Sequence, residues 1–206
     1  MIPSRSKTHW DEVYSTGSAA DVSWYQDNPA LSLALIREVG PEEGGRIIDV
    51  GGGASVLVDR LLGLSFEGVA VLDISEDALD RAKTRLARRA EGVEWIVADV
   101  TEIQEIGTAD VWHDRAVFHF LTDPADRARY RDLAARTVRP GGHLIVATFA
   151  DDGPSRCSGL DVRRYDARAL AAELGEQFTL VKDAAETHRT PWGAPQSFVY
   201  GVFRRS

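Results

Sequence analysis

Three acidic residues stand at equivalent places in successive segments of the chain. Asp49 lies at the end of Arg46-Ile47-Ile48, Asp73 closes the apolar run from Gly68 to Leu72, and Asp99 follows Val93 to Ala98. Immediately after the first acid comes Val50-Gly51-Gly52-Gly53-Ala54-Ser55, a turn in which Gly51 and Gly53 permit backbone angles and close approaches that a side chain would forbid. Carboxylates accept hydrogen bonds from hydroxyls and amines, and a turn leading into a helix offers backbone N–H groups to a ligand. The set suits a ligand with an amine or hydroxyl near Asp49, vicinal hydroxyls at Asp73 and an exocyclic amine at Asp99. Adenosine joined to an amino acid has all three.

These residues need a scaffold that brings strand ends together. Val56 to Leu64 reads as the helix after the glycine turn, and Ser75-Glu76-Asp77 starts another that runs to about Arg89. A fourth strand is expected over Asp110 to Asp114, and a helix over Pro124 to Val138 with Asp123 as N-cap. A fifth strand, Leu144 to Phe149, follows Pro140-Gly141-Gly142. Strands alternating with helices predict a parallel sheet covered on both faces, with its carboxyl ends meeting at one ligand-binding edge. The last quarter differs: a helix over Asp166 to Leu174, strands over Phe178 to Lys182 and Ser197 to Arg204, and a loop from Pro191 to Pro195 predict an antiparallel ending. In the N-terminal part, Leu31 to Ile36 reads as a helix after Asn28-Pro29. The aromatics around Trp10, Tyr14, Trp24 and Tyr25 either form a lid over a ligand or pack an extension onto the main body.

At 206 residues and 44% hydrophobic content the chain builds one substantial core rather than two. A net charge of −8 disfavours a nucleic-acid backbone as partner. Cys157 is the only cysteine, which excludes an internal disulfide and a thiolate metal cluster, and reads as a small buried thiol. The five histidines show no metal-ligand spacing. Met1 to Lys7 is not followed by an apolar signal region, and no stretch approaches the ~20 apolar residues of a membrane span. A cytoplasmic protein without metal, membrane or nucleic-acid partner is expected.

Asp49-Val50-Gly51-Gly52-Gly53, Val71-Leu72-Asp73-Ile74 and Ala98-Asp99-Val100 resemble the class I S-adenosylmethionine-dependent methyltransferases. The resemblance runs over roughly residues 30 to 205 and includes Arg139-Pro140-Gly141-Gly142. It implies a Rossmann-like α/β three-layer sandwich with a mostly parallel seven-stranded sheet and an antiparallel C-terminal strand. It also implies a single domain over 1–206, in which 1–40 is a helical, aromatic lid segment and 41–206 the cofactor-binding core. The cofactor would be S-adenosylmethionine, leaving as S-adenosylhomocysteine, bound by Asp49, Gly51, Gly53, Asp73, Ile74, Asp99 and Val100. Ser55 departs from the fullest glycine motif. A nicotinamide dehydrogenase, the nearest competitor, requires glycine where Val56 stands.

The acceptor belongs to the segment after strand four. Trp112-x-Asp114-Arg115-Ala116, followed by Asp126-Arg127 and Tyr130, is similar to thiopurine and related thiol methyltransferases. Under that resemblance Arg115 orients an anionic acceptor and Asp114 shapes the methyl-transfer site; the alternative is an Asp114–Arg115 ion pair without chemistry. His119 is the candidate base, or else a histidine that packs a helix. His113 points to the opposite side of the strand from Asp114 and is structural. Trp24, Tyr25 and Trp192 are the candidate acceptor contacts. Trp10-Asp11-x-x-Tyr14 with Trp24-Tyr25 is similar to certain protein-lysine methyltransferases, although no Asn-Pro-Pro-Tyr type sequence is present. The reading is methyl transfer by in-line displacement to a small-molecule nucleophile, thiols included. The alternatives are a protein-lysine methyltransferase and a cofactor-binding sensor or scaffold.

Overall fold

A computed structural model describes residues 5–16, 22–41 and 44–206; the start of the Met1 to Lys7 stretch lies outside them. Strands β1 (Arg46–Val50), β2 (Gly68–Asp73), β3 (Val93–Val97), β4 (Ala109–Arg115) and β5 (Val138–Phe149) run parallel, joined by crossovers. The C-terminal strand β9 (Pro195–Arg205) pairs antiparallel with β5 on one side and with β8 (Phe178–Arg189) on the other. The seven-stranded order is β3-β2-β1-β4-β5-β9-β8, and the sheet is mostly parallel with the expected antiparallel ending.

Period-two side-chain alternation divides the core between two faces. Ile47, Val69, Val111 and Ile145 pack against helices α2 (Ala30–Val39), α3 (Leu57–Gly63) and α4 (Glu76–Leu86). Ile48, Trp112, Leu144 and Val146 pack against α5 (Pro124–Thr137) and α6 (Ala167–Leu174). Helix starts follow local chemistry: Ser75, Asp123 and Asp166 each accept a backbone N–H from the first turn they precede. Helix α1 (Arg5–Thr16) lies against α4. No helix among the described residues is long and apolar enough to cross a membrane.

Three boundaries differ from expectation. Strand β8 continues past Lys182 because Asp183 to Arg189 pair with β9 across a tight turn, although most of those side chains stay in water and give no apolar signal. It is an edge strand, and its charged side chains suit an edge that must not pair with another chain. Strand β5 begins at Val138, so Pro140-Gly141-Gly142 lies within it at a shift in the β4 register rather than before it. The helix from Ser75 stops at Leu86 and tightens into a 3-10 segment, Ala87–Gly92. A two-stranded ribbon, β6 (Arg156–Cys157) and β7 (Leu160–Asp161), was not anticipated.

Candidate functional site

The glycine turn sits at the carboxyl edge, wedged between its neighbours. Gly51 N donates to the Leu72 carbonyl at 2.7 Å. Its φ of +67° and a position where a Cβ would lie 2.0 Å from Val117 Cγ2 both demand glycine. At Gly53 a Cβ would come within 2.8 Å of Asp73 Oδ2. Ser55, the departure from the fuller glycine pattern, has a local use: its Oγ accepts from Leu57 N as α3 begins.

A cavity of about 630 Å³ opens at this edge. Gly51, Asp73, Ile74, Asp99 and Val100 line it from the strand ends, and Trp10, Tyr14, Trp24 and Phe120 enclose it with rings. Trp10 meets Trp24 and Phe120 edge-on, with centroids 5.6 and 5.1 Å apart. An adjoining small cavity shares Gly51, Tyr14, Trp24 and Arg115, and adds Asp49, Ser32, His113 and Tyr25. The three acids therefore do not meet in one place: Asp73 and Asp99 face the main cavity, and Asp49 faces the annex. Gly53 backs the Asp73 carboxyl rather than forming the cavity wall.

Burial raises the Asp73 carboxyl to about 7, with the nearby Asp49 charge adding to it and the Ser75 N–H, which donates to Oδ1 at 2.8 Å, opposing. Asp99 accepts from the N–H and the hydroxyl of Thr101 through one oxygen. Asp49 accepts from His113 Nδ1 at 2.7 Å, and His113 Nε2 reaches Ser32 Oγ at 2.9 Å. His113 and Asp114 do lie on opposite faces of β4, as the strand period requires.

Two of the three candidate catalytic residues are not at the cavity. Asp114 is fully buried and accepts from Tyr130 OH at 2.7 Å, Val117 N at 2.9 Å and Phe118 N at 3.1 Å. Burial lifts its carboxyl to about 6, and its work is to hold the turn after β4 onto α5. It makes no pair with Arg115, which projects from the other face. His119 is also fully buried, between Phe120 and Phe149, and its Nδ1 accepts from Phe149 N. Burial lowers its pKa to about 3, so the ring is neutral and out of reach of an acceptor. Arg115 does line both cavities, and its ion-pair partner is Glu186 at 3.3 Å. Among the acceptor contacts, Trp24 lines both cavities and Tyr25 the annex, while Trp192 is 63% exposed in the β8–β9 turn and lines neither. Phe120, Glu186 and Tyr200 were not singled out by sequence. Phe120 stood beside His119 in the right segment, whereas nothing local marks the other two.

Residues 48–146 match a family described as Methyltransferase domain. A ubiquinone biosynthesis O-methyltransferase of Ralstonia nicotianae is 30% identical over 61% of this chain and 51% of its own length. An N-terminal Xaa-Pro-Lys N-methyltransferase of Mus musculus is 27% identical over 83% of this chain and 84% of its own. The solved N-methyltransferase NodS from Bradyrhizobium japonicum, in complex with S-adenosylhomocysteine, superposes with a TM-score of 0.71 at 19% identity, covering 95% of this chain and 97% of that one. Residues 48–146 carry the similarity to methyltransferase domains, and the fold as a whole is the one seen in the solved N-methyltransferase. The chain spans less than two-thirds of the length of the curated relatives that head the comparison. The cavity's own chemistry suits S-adenosylmethionine: the carboxylates of Asp73 and Asp99 line the strand-end wall beside the Gly51 turn.

Proposed function

We propose that the protein transfers a methyl group from S-adenosylmethionine to a small-molecule nucleophile, with thiols in the acceptor class. The observation that carries this reading is the cavity itself. Its strand-end wall offers Gly51, Asp73 and Asp99, the rings of Trp10, Tyr14, Trp24 and Phe120 face them together with polar side chains such as Arg115 and Arg129, and the volume is of the size that small ligands occupy. In the proposed arrangement Asp73 accepts from the ribose hydroxyls, Asp99 from the adenine amine, and Ile74 and Val100 pack the nucleoside. Asp49, Gly51 and Gly53 shape the amino-acid end. Residues 1–40 serve as the lid and 41–206 as the core of one domain.

The bound cofactor supplies an activated methyl on a sulfonium. The chain's contribution is to align the acceptor and exclude water, which the rings of Trp10, Trp24 and Phe120 are suited to do. Tyr14 and Cys157 also line the cavity, and burial raises both well above neutrality, Cys157 to about 11, so neither serves as a base near pH 7. An acceptor that brings its own lone pair, such as a thiolate or a neutral amine, fits this wall. Two of the five Arg115 N–H donors remain beyond those given to Tyr200, Trp24 and Glu186, and they can orient a carboxylate.

Similarity to a protein N-methyltransferase over most of that enzyme's length supports a second reading, with a polypeptide amine as acceptor. Labelled S-adenosylmethionine offered separately with thiols, small amines and cell extract separates the two. Label in the small molecules supports the first reading; label confined to extract protein overturns it. Tight cofactor binding without transfer anywhere leaves a sensor.

A further inference from the structure

Residues 22–26, which carry Trp24 into both cavities, are tied to the C-terminal hairpin and to the end of β4 by three polar side-chain contacts. His188 Nε2 donates to the Ser23 carbonyl at 2.7 Å, Arg115 Nη1 to the Trp24 carbonyl at 3.1 Å, and Gln26 Nε2 to Glu186 Oε1 at 3.0 Å. Arg115 is itself fixed from behind. Its Nε donates to Tyr200 OH at 3.0 Å, its Nη2 pairs with Glu186 Oε2 at 3.3 Å, and its guanidinium lies 4.3 Å from the Phe198 ring centroid. The Tyr200 hydroxyl, having accepted from Arg115, donates to Glu186 Oε2 at 3.2 Å. Tyr200 is fully buried, and neither it nor Glu186 lines either of the two cavities described above.

We propose that Tyr200 and Glu186 are positioning residues: through Arg115 and Gln26 they fix the Trp24 segment, and so set the aromatic wall that closes the cavity. A planar guanidinium held at several points by a buried hydroxyl and a carboxylate is a rigid support for one carbonyl. The inference goes beyond the proposed function, because the wall is held in the same way whatever acceptor it encloses.

The chain contains its own reporter. Cys157, the only cysteine, lies 4% exposed on the cavity wall with its Sγ 3.9 Å from Ser23 Oγ, beneath the segment in question. An aromatic disulfide reagent reaches it faster when that segment opens. In the unliganded full-length protein, Tyr200→Phe and Glu186→Ala should each raise the modification rate about tenfold, as expected when a hydrogen bond to a charged group no longer opposes local opening. Leu133→Ala, which removes a buried side chain from the α5 layer on the other face, serves as the control for general loss of stability and should leave the rate within twofold. Wild-type rates in both hairpin variants would overturn the proposal, as would equal acceleration in Leu133→Ala. Failure to bind S-adenosylhomocysteine in calorimetry would instead count against the proposed function and leave the thiol rates to decide this point.

Discussion

The charge state of Asp73 should make cofactor affinity depend on pH. The carboxyl is buried and titrates near 7 instead of 3.8, so the protein disfavours its ionised form by about 4 kcal/mol. Besides desolvation, Asp49 and Asp11 push in the same direction, and the N–H groups of Ile74 and Ser75 push against it. Vicinal hydroxyls donating to this carboxylate would replace lost hydration and favour the charged form, so binding lowers the pKa. The free protein then has to shed a proton to bind below pH 7 but not above it. With a free-state value of 7 and a bound value well below 6, affinity for S-adenosylhomocysteine falls about tenfold from pH 8 to pH 6, or about 1.4 kcal/mol. Calorimetry at the two pH values, in buffers of different ionisation enthalpy, should show close to one proton released per ligand at pH 6 and little at pH 8. Asp73→Asn should bind about 1–3 kcal/mol more weakly at pH 8 and lose the slope. Folding follows the same linkage: an acid whose pKa is raised in the folded state costs stability as pH rises from about 4 through 7, and Asp73→Asn should flatten that loss of Tm. Affinity that is constant from pH 6 to 8, or a slope that survives in Asp73→Asn, would refute the assignment of the ribose to this residue.

Other substitutions separate the site from its supports. Gly51→Ala combines a strained φ with a clash against Val117, and should weaken S-adenosylhomocysteine binding at least tenfold in calorimetry while the far-ultraviolet spectrum stays native. Asp114→Ala leaves Tyr130 OH and two backbone N–H groups without their acceptor, and should cost about 2–4 kcal/mol in urea denaturation. His119→Asn, whose amide oxygen can still accept from Phe149 N, should keep methyl transfer within about threefold with an unchanged pH profile; loss of an ionisation from that profile would restore His119 as a base. Trp192→Ala should change stability by less than about 0.5 kcal/mol and leave transfer unaffected, since the ring stands in solvent.

The fold was legible wherever burial imposes a period. Ile47 against Ile48 and Val111 against Trp112 divide between two helix layers, and that alternation is written into the strands themselves. The second half of β8 was not legible. Asp183 to Arg189 hold their place through backbone pairing to β9 at the sheet edge, and a ladder bond carries no side-chain signature. Edge position also hid Glu186, whose partner Arg115 lies 71 residues away in the chain.

Asp114 shows why acids at strand ends cannot be sorted by spacing alone. It follows an apolar strand as Asp73 and Asp99 do, yet it lies on the face toward α5, where Tyr130 and the N–H groups of the next turn occupy both of its oxygens. Asp73 and Asp99 accept from their own following turns, Ser75 in one case and Thr101 in the other, and still face the cavity. A carboxylate met by complementary donors from a second element is a structural joint, because a ligand could reach it only by displacing those donors into a dry interior. A carboxylate met only by its own turn keeps acceptor capacity for something outside the chain. Whether Tyr130 comes to lie over Asp114 is decided by α5 docking on the sheet, sixteen residues further along. The sequence therefore marked which acids stand at the carboxyl edge, and tertiary packing decided which of them remained available there.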